Sequence, residues 1–426
     1  MIEAACLGII LGVVAGIIPG IGSFICLLLI WPLLPNYSIN ELLLLYVSMA
    51  SISQYIGSIP AIIYGIPGEG SSYPAVAESR NLTTQGKVSH AISGSAFGSM
   101  FGGVVVVLLC FLLAEYVQLL KHFYSTKLFV FLLLFVLLLM IFTISNHKMI
   151  NIFFIATGLF LGLIGYNPYL DFKFLTFNSF NLWGGLPLPV VLICLFAVPQ
   201  ITYYLDDSVE KEKEKIYSLA RLYILNPLAL VGSTMVGFLG GLVPGLTTVF
   251  SSTFAYGLSK FFTNDPVDRI VVSETANNAG AFSQLLPLLL FGIPIVSSEA
   301  LLLFFMEQKG YTVESFSFGI IIPTLAFTLM IVNVVGFLLA WPLSRHVKIF
   351  YSIDIRKIMT FLLVCLFGVV IYTGYINYNT IFYITCFLIL APLGVFLRKF
   401  NTLPLVFAFL IHDKLLEGLF RFFQLV

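Results

Sequence analysis

The sequence Tyr64-Gly65-Ile66-Pro67-Gly68-Glu69-Gly70-Ser71-Ser72 interrupts a strongly apolar region of the chain. Pro67 lacks a backbone donor, and Gly68 and Gly70 permit backbone conformations that other residues avoid. We therefore expect a helix arriving at Tyr64 to unwind here and to leave backbone N–H and C=O groups without helical partners. In a membrane such groups are tolerated only where protein or a water-filled cavity covers them. The stretch predicts a broken helix, the feature from which secondary transporters build substrate and ion sites.

The composition is that of a membrane protein. Of its 426 residues, 59% are hydrophobic and 10% are charged, whereas soluble domains usually contain about 25% charged residues. Several apolar runs reach the ~20 residues that a helix needs to cross a bilayer. The sequence therefore predicts an all-α polytopic membrane protein. We expect membrane lipid around it and no nucleic-acid partner.

The interrupted pattern occurs twice along the chain. The stretch Phe291-Gly292-Ile293-Pro294-Ile295-Val296-Ser297-Ser298 contains a second Gly-Ile-Pro break, which follows the first at an offset of 227 residues. The glycines and the proline of residues 12–20 recur at residues 237–245, with one additional glycine at Gly240. Two matched breaks in the same order indicate an internal duplication.

A dense run of charges between Asp206 and Lys215 divides the chain nearly in half. It is typical of a solvated linker. We predict a first transmembrane repeat at 1–205, a charged cytoplasmic linker at 206–221 and a second transmembrane repeat at 222–426. The last segment of the second repeat is amphipathic, and we expect it to lie at the membrane interface.

The distribution of basic residues indicates how the repeats are oriented. Residues 4–35 form either one kinked crossing or a re-entrant hairpin around Pro19, and the same alternatives hold around Pro244. Lys and Arg accumulate in cytoplasmic loops. With a cytoplasmic linker and two hairpins, most of the basic residues, including Arg80 and Lys87, lie inside. This arrangement is favoured, and it makes the two repeats inverted.

The breaks are candidate anion sites. A helix that begins after a break presents free N–H groups and a partial positive charge. Glycines let a ligand approach the backbone, and hydroxyl groups add donors; the alternative is that Gly and Pro only permit tight packing here. The predicted substrate-binding residues are Gly20, Ile21, Gly22, Ser23, Gly68, Gly70, Ser71, Ser72, Gly245, Thr247, Thr248, Ser297 and Ser298.

The predicted cation-coupling residues are Glu69, Glu274, Asn277 and Asn278. Ionisable residues within membrane segments indicate function, and two adjacent asparagines are costly there unless they are satisfied. Alternatively, the acids cap helix ends and the asparagines bond between helices. No Lys or Arg lies in the breaks, so a co-bound cation would offset the charge of an anionic substrate. This favours cation symport, with sodium or a proton as the coupling ion.

Several short motifs along nearly the whole chain are shared with a known family. They are Gly12 to Gly22, Ile66 to Ser72, Gln85-Gly86-Lys87, Gly241 to Gly245, Glu274 to Asn278, Gly292-Ile293-Pro294 and Leu416-Glu417. With these motifs the chain resembles the large transmembrane subunit of tripartite tricarboxylate transporters, the TctA-type family. The resemblance implies cation-driven uptake of carboxylates across a bacterial inner membrane, assisted by a small membrane subunit and a periplasmic solute-binding protein.

The sequence departs from the family pattern at two places. Tyr55-Ile56-Gly57-Ser58 stands where the family tends to have Y-G-G-S, and Ile295-Val296 follows the second break where a glycine is common. These departures leave the substrate open.

The alternatives to transport are a membrane-embedded enzyme and a transport-inactive scaffold. The six cysteines form no C-x-x-C pair and the histidines have no zinc-ligand spacing. We therefore predict no enzymatic activity, no metal centre and no cofactor other than a bound sodium ion.

Overall fold

The computed structural model describes residues 1–112, 126–143, 146–167, 171–206, 225–242, 247–312, 318–352 and 355–423. These ranges are mainly helical. A small antiparallel hairpin, which the sequence did not predict, pairs β1 (Gly165–Asn167) with β2 (Phe172–Phe174).

The helices before the gap at 207–224 are α1 (Ile2–Ile17), α2 (Gly22–Leu29), α3 (Ile39–Tyr64), α4 (Tyr73–Thr84), α5 (Val88–Leu112), α6 (Thr126–Thr143), α7 (Lys148–Gly162), α8 (Leu188–Leu192) and α9 (Val198–Asp206). A π-helical turn, Ile193–Ala197, joins α8 to α9. The helices after the gap are α10 (Pro227–Leu242), α11 (Thr248–Ser259), α12 (Pro266–Ser283), α13 (Leu285–Phe291), α14 (Ser297–Gln308), α15 (Phe318–Ser352), α16 (Ile355–Ile376), α17 (Thr380–Leu397) and α18 (Leu403–Phe422).

The chain is a multi-pass membrane protein. Among the described residues, five helical segments are long and apolar enough to cross a membrane: α3, α5, Ile321–His346 within α15, α16 and α17. The first of these is almost completely enclosed by other helices, whereas α17 exposes much of its apolar surface. The apolar exterior suits lipid, and the enclosed helix α3 forms the centre of the fold.

Local sequence explains where α3 begins and ends. The Ser38 backbone N–H donates to the Glu41 carboxylate at 3.0 Å, and the Glu41 N–H donates to the Ser38 hydroxyl at 3.4 Å. This reciprocal pair is a capping box, which satisfies donors that a helix start leaves free. At the other end Gly65 adopts a left-handed conformation with φ of 66°, which is strained for any residue with a side chain. The helix stops there.

Small residues let a short helix pack closely on a long one in each half. A side chain at Gly12 of α1 would meet the Ile52 Cβ of α3 at 2.7 Å. A side chain at Gly237 of α10 would likewise meet the Ala279 Cβ of α12 at 2.7 Å. Glycine is needed at both positions because the backbones approach so closely.

Each half also packs a long helix against the other half. Gly98 of α5 lies against α12, where an added Cβ would be 2.6 Å from the Thr275 hydroxyl. Reciprocally, α15 packs on α3, and the Tyr55 hydroxyl donates to the Asn333 Oδ1 at 2.7 Å. The two halves therefore form one interlocked body around α3 and α12.

The C-terminal helix α18 is packed more deeply than its amphipathic sequence suggests. Leu405, Phe407 and Ala408 are buried, and Ala408 packs against Gly158 of α7. Lys414 forms an ion pair with Glu307 of α14, so some of its charges are used within the protein. Its predicted position at the membrane interface stays a prediction.

Candidate functional site

A cavity of about 700 Å³ lies where the break segments of both halves meet. It gathers residues from distant parts of the sequence, and most of the predicted substrate-binding residues line it. These are Gly20, Ile21, Gly22, Ser23, Gly68, Gly70, Ser71, Thr247, Thr248, Ser297 and Ser298. Ser72 is fully buried and does not line the cavity, and Gly245 lies outside the described residues.

Helix N-termini from both halves reach this cavity. Gly22 begins α2, Thr248 begins α11 and Ser297 begins α14, and all three line the cavity wall. The first N–H groups of a helix have no partner within it. Several such ends around one space, with serine and threonine hydroxyls beside them, can bind a small anion.

Two glycines of the breaks have different roles. A side chain at Gly68 would collide with the Gly16 carbonyl oxygen and lie 2.7 Å from the Gly57 Cα, so three backbones meet at this point. For Gly68 the packing role that we weighed against ligand binding is therefore real. Gly22 has φ of 54° and nothing near its missing side chain, so its requirement is conformational.

Glu69 belongs to a chain of hydrogen bonds on the cavity wall. Its carboxylate accepts from the Ser23 hydroxyl and from the Gln54 amide, each at 3.3 Å. The Ser71 hydroxyl donates to the Gln54 carbonyl oxygen at 2.9 Å. Side-chain hydrogen bonds therefore link the Glu69 carboxylate to Ser23, which follows Pro19, and through Gln54 to Ser71, which follows Pro67. Glu69 also lines the cavity, where a ligand would lie.

The other three predicted cation-coupling residues lie apart from the cavity lining, in the buried middle of α12. The Asn277 amide donates to the Glu274 Oε2 at 3.2 Å. Among the described residues, the Glu274 Oε1, the Asn277 Oδ1 and the Asn278 side chain have no hydrogen-bond partner. Buried oxygens without donors are costly, and oxygen atoms are the ligands that transporters use for sodium.

Glu299, the acid beside the second break, has a different position. Its Oε2 accepts from the backbone N–H groups of Ile295 at 2.7 Å and of Val296 at 3.4 Å. The carboxylate thus caps the break and the start of α14. Glu299 does not line the cavity, so helix capping, the alternative weighed for each acid, describes this residue.

Sequence reasoning missed the cavity residues that lie far from the breaks. Gln200 and Tyr203 of α9, Gln284 after α12, and Arg398 after α17 all line the cavity. Hydropathy offers no signal for these residues, because their place at the cavity arises from the packing of helices that are distant in sequence.

A multi-pass helical membrane protein with broken helices around a shared cavity is the class that these features define. Residues 2–407 match the family described as "Tripartite tricarboxylate transporter TctA family". The chain belongs to this family, which is a family of transporters.

Two relatives are similar over much of the chain. A 52.8 kDa protein from the TAR-I ttuC' 3' region of Agrobacterium vitis is 26% identical over 321 residues, which is 72% of this chain and 63% of that protein. The chain thus spans less than two thirds of that relative's length. A protein of Methanocaldococcus jannaschii is 23% identical over 409 residues, 93% of each chain. No solved structure matches.

Proposed function

We propose that the chain is the large membrane subunit of a secondary active, cation-coupled symporter that imports small organic anions, di- or tricarboxylates. The observation that carries this proposal is the cavity where the starts of α2, α11 and α14 meet. A helix N-terminus carries roughly half a positive charge, so three of them can offset much of the charge of a carboxylate. The hydroxyls of Ser23, Thr248 and Ser298 would add hydrogen bonds to its oxygens.

Cation coupling is the second part of the proposal. Glu69 on the cavity wall would repel an anion unless a proton or sodium ion offsets its charge. Glu274, Asn277 and Asn278 supply buried oxygens in α12 that suit a sodium ion. A cation bound at either place lowers the electrostatic cost of bringing an anion to the cavity, which couples the two movements.

We also propose two inverted repeats, at 1–205 and 222–426, joined by a cytoplasmic linker at 206–221. The matched ends of α3 and α13 support the repetition, since Gly65 and Gly292 have φ of 66° and 63°. The inversion rests on the distribution of basic residues. Cysteines placed at Ser38 and Lys260, in a background without other cysteines, test the orientation. The two positions should label from opposite sides of the membrane, and labelling from one side would overturn the inversion.

The proposed setting is a bacterial inner membrane. There the chain would act with a small membrane subunit and a periplasmic solute-binding protein, as its family implies.

Uptake into proteoliposomes tests the function. Labelled succinate and citrate are offered under an imposed sodium gradient, an imposed proton gradient or no gradient, with the chain alone and with candidate partner subunits. We expect accumulation of one of the carboxylates under one of the gradients only. Accumulation independent of any gradient would contradict symport, and no uptake under any condition would contradict transport of these anions.

A further inference from the structure

Arg398 is the basic side chain of the central cavity. It follows the end of α17 and is partly buried. Among the described residues that line the cavity, Glu69 is the single acid and Arg398 the single Lys or Arg. The positive charge therefore comes from a different part of the protein than the break segments, which carry no basic residue.

The segment that carries Arg398 is held in place by reciprocal hydrogen bonds. The Asn401 backbone N–H donates to the Asn146 Oδ1 at 3.1 Å, and the Asn146 amide donates back to the Asn401 carbonyl at 2.8 Å. The Leu403 N–H donates to the Asn401 Oδ1 at 3.0 Å. Asn401 and Leu403 also line the cavity. These hydrogen bonds fix the backbone that follows Arg398 in the cavity wall.

The cavity thus contains two kinds of group for negative charge. Helix N-termini and hydroxyls suit one carboxylate, but each helix end carries only a partial charge. A guanidinium carries a full charge, and its planar fork of donors matches the two oxygens of a carboxylate. A ligand with two carboxylates can use both groups, whereas a ligand with one carboxylate can use only one of them.

We propose that Arg398 is the specificity-determining residue of the cavity: it binds the second carboxylate of the ligand and so selects di- and tricarboxylates over monocarboxylates. This rests on the proposed function, because it requires that an anion bind at the break segments. It adds a determinant of ligand specificity that lies outside the breaks at Pro19, Pro67, Pro244 and Pro294. It also explains how a site whose breaks have no basic residue can hold a multiply charged anion.

Succinate and butyrate form a matched pair of probes, since both have four carbons and they differ by one carboxylate. Binding of each is measured by calorimetry, or by competition against labelled succinate, on the purified full chain in sodium. The variants are Arg398→Gln, Arg398→Lys and the control Lys399→Gln. Lys399 is the exposed neighbour of Arg398 and does not line the cavity.

We expect Arg398→Gln to weaken succinate binding at least tenfold while butyrate binding stays within twofold. Arg398→Lys should weaken succinate binding less than Arg398→Gln does, because lysine keeps the positive charge but loses the planar pair of donors. Lys399→Gln should behave as the unmodified chain. Unfolding temperatures without ligand show whether each variant is folded.

Two results would overturn this inference alone. One is equal weakening of succinate and butyrate in Arg398→Gln, which indicates a structural role. The other is unchanged preference for succinate in that variant, which places the second carboxylate elsewhere. If the unmodified chain binds neither succinate nor citrate, the proposed function fails as well, and with it the role of Arg398.

Discussion

The two Gly-Ile-Pro breaks have the same backbone shape and different chemistry. The helices before them end at Gly65 and Gly292 with nearly equal left-handed φ angles. In the first break the acid Glu69 faces the cavity and is held by side chains. In the second break, Val296 occupies the position that corresponds to Glu69. The acid Glu299 lies three residues later and accepts hydrogen bonds from backbone N–H groups. The acids beside the two breaks therefore have different partners, side chains at the first break and backbone N–H groups at the second.

The breaks also differ in how tightly they pack. Gly68 touches the backbones of Gly16 and Gly57. The corresponding residue of the second break is Ile295, whose side chain is completely buried. The first break has no room for a side chain at Gly68, whereas the second break encloses the large side chain of Ile295. The Ile295 side chain, which departs from the family pattern, is therefore part of the packed interior.

The largest expected effect concerns this difference in packing. Gly68→Ala should lower the free energy of unfolding by about 3 kcal/mol, because an overpacked backbone contact has no flexible side chain to yield. Gly70→Ala is the control, since its added Cβ meets only the end of the Val249 side chain, at 3.3 Å. Thermal unfolding in detergent measures both. Equal stability of the two variants would show that the three backbones do not meet as described.

The elements that follow the breaks are anchored with different strength. In α4, the Glu78 carboxylate is 2% exposed and pairs with Arg269 at 3.1 Å, and it also accepts from Tyr256 at 2.8 Å. In α14, Glu307 pairs with Lys414 in a more exposed place, at 38% and 23% exposure. Glu78→Gln should cost about 2 kcal/mol and Glu307→Gln less than about 1 kcal/mol. Unfolding temperatures in the reverse order would contradict this ranking.

The anchor of α4 also predicts a dependence on pH. Burial alone would raise the pKa of Glu78, but hydrogen bonds from Asn81, Tyr256 and Arg269 outweigh it and lower the pKa. A carboxyl whose pKa is lower in the folded state adds stability above its unfolded pKa, about 4.3, and that stability is lost as the pH falls through the folded value. Unfolding temperatures from pH 7 to pH 3 should therefore drop more for the unmodified chain than for Glu78→Gln. Parallel profiles would remove this pair from the acid response.

The smallest expected effect concerns the proposed cation site, where the two halves have different side chains. Asn278 of α12 corresponds to Ser51 of α3, and the side-chain oxygens of both are buried without a partner among the described residues. We expect Asn278→Ala to reduce the stabilisation by sodium, because it removes an oxygen ligand, and Ser51→Ala to leave it unchanged. Sodium titrations of thermal unfolding compare the two. Superimposable titrations for Asn278→Ala and the unmodified chain would place the cation elsewhere.

Local residue chemistry predicted the helix ends and several of the residues that line the cavity. Proline and glycine predicted the helix ends at Gly65 and Gly292. The partial positive charge at helix starts indicated Ser23 and Thr248 as binding residues, and the structure brings both to one cavity. Ser72, predicted on the same ground, is buried and does not line that cavity. A run of small polar residues does not reveal which side chain turns toward the open space.

What the sequence could not supply depends on tertiary packing. Arg398 reaches the cavity because the segment after α17 lies beside the breaks, and no local pattern encodes that neighbourhood. The polar face of α18 is typical of a membrane-surface helix, and its sequence does not show that Lys414 forms a partly exposed ion pair with Glu307 of α14. Both charges thus lie beside elements that are distant from them in sequence.

We propose that the anion binds in the central cavity and that its binding depends on Glu69 of the first break. Thermal unfolding of the unmodified chain, Glu69→Gln and Glu299→Gln, with and without a dicarboxylate and sodium, tests it directly. A ligand at 100 times its dissociation constant should stabilise the unmodified chain by about 2.7 kcal/mol, and only when sodium is present. Glu299→Gln should start from a lower temperature and keep the shift, whereas Glu69→Gln should lose its dependence on sodium. A sodium-dependent shift that survives in Glu69→Gln would contradict the role of Glu69, and loss of the shift in Glu299→Gln would contradict a capping role alone for that residue.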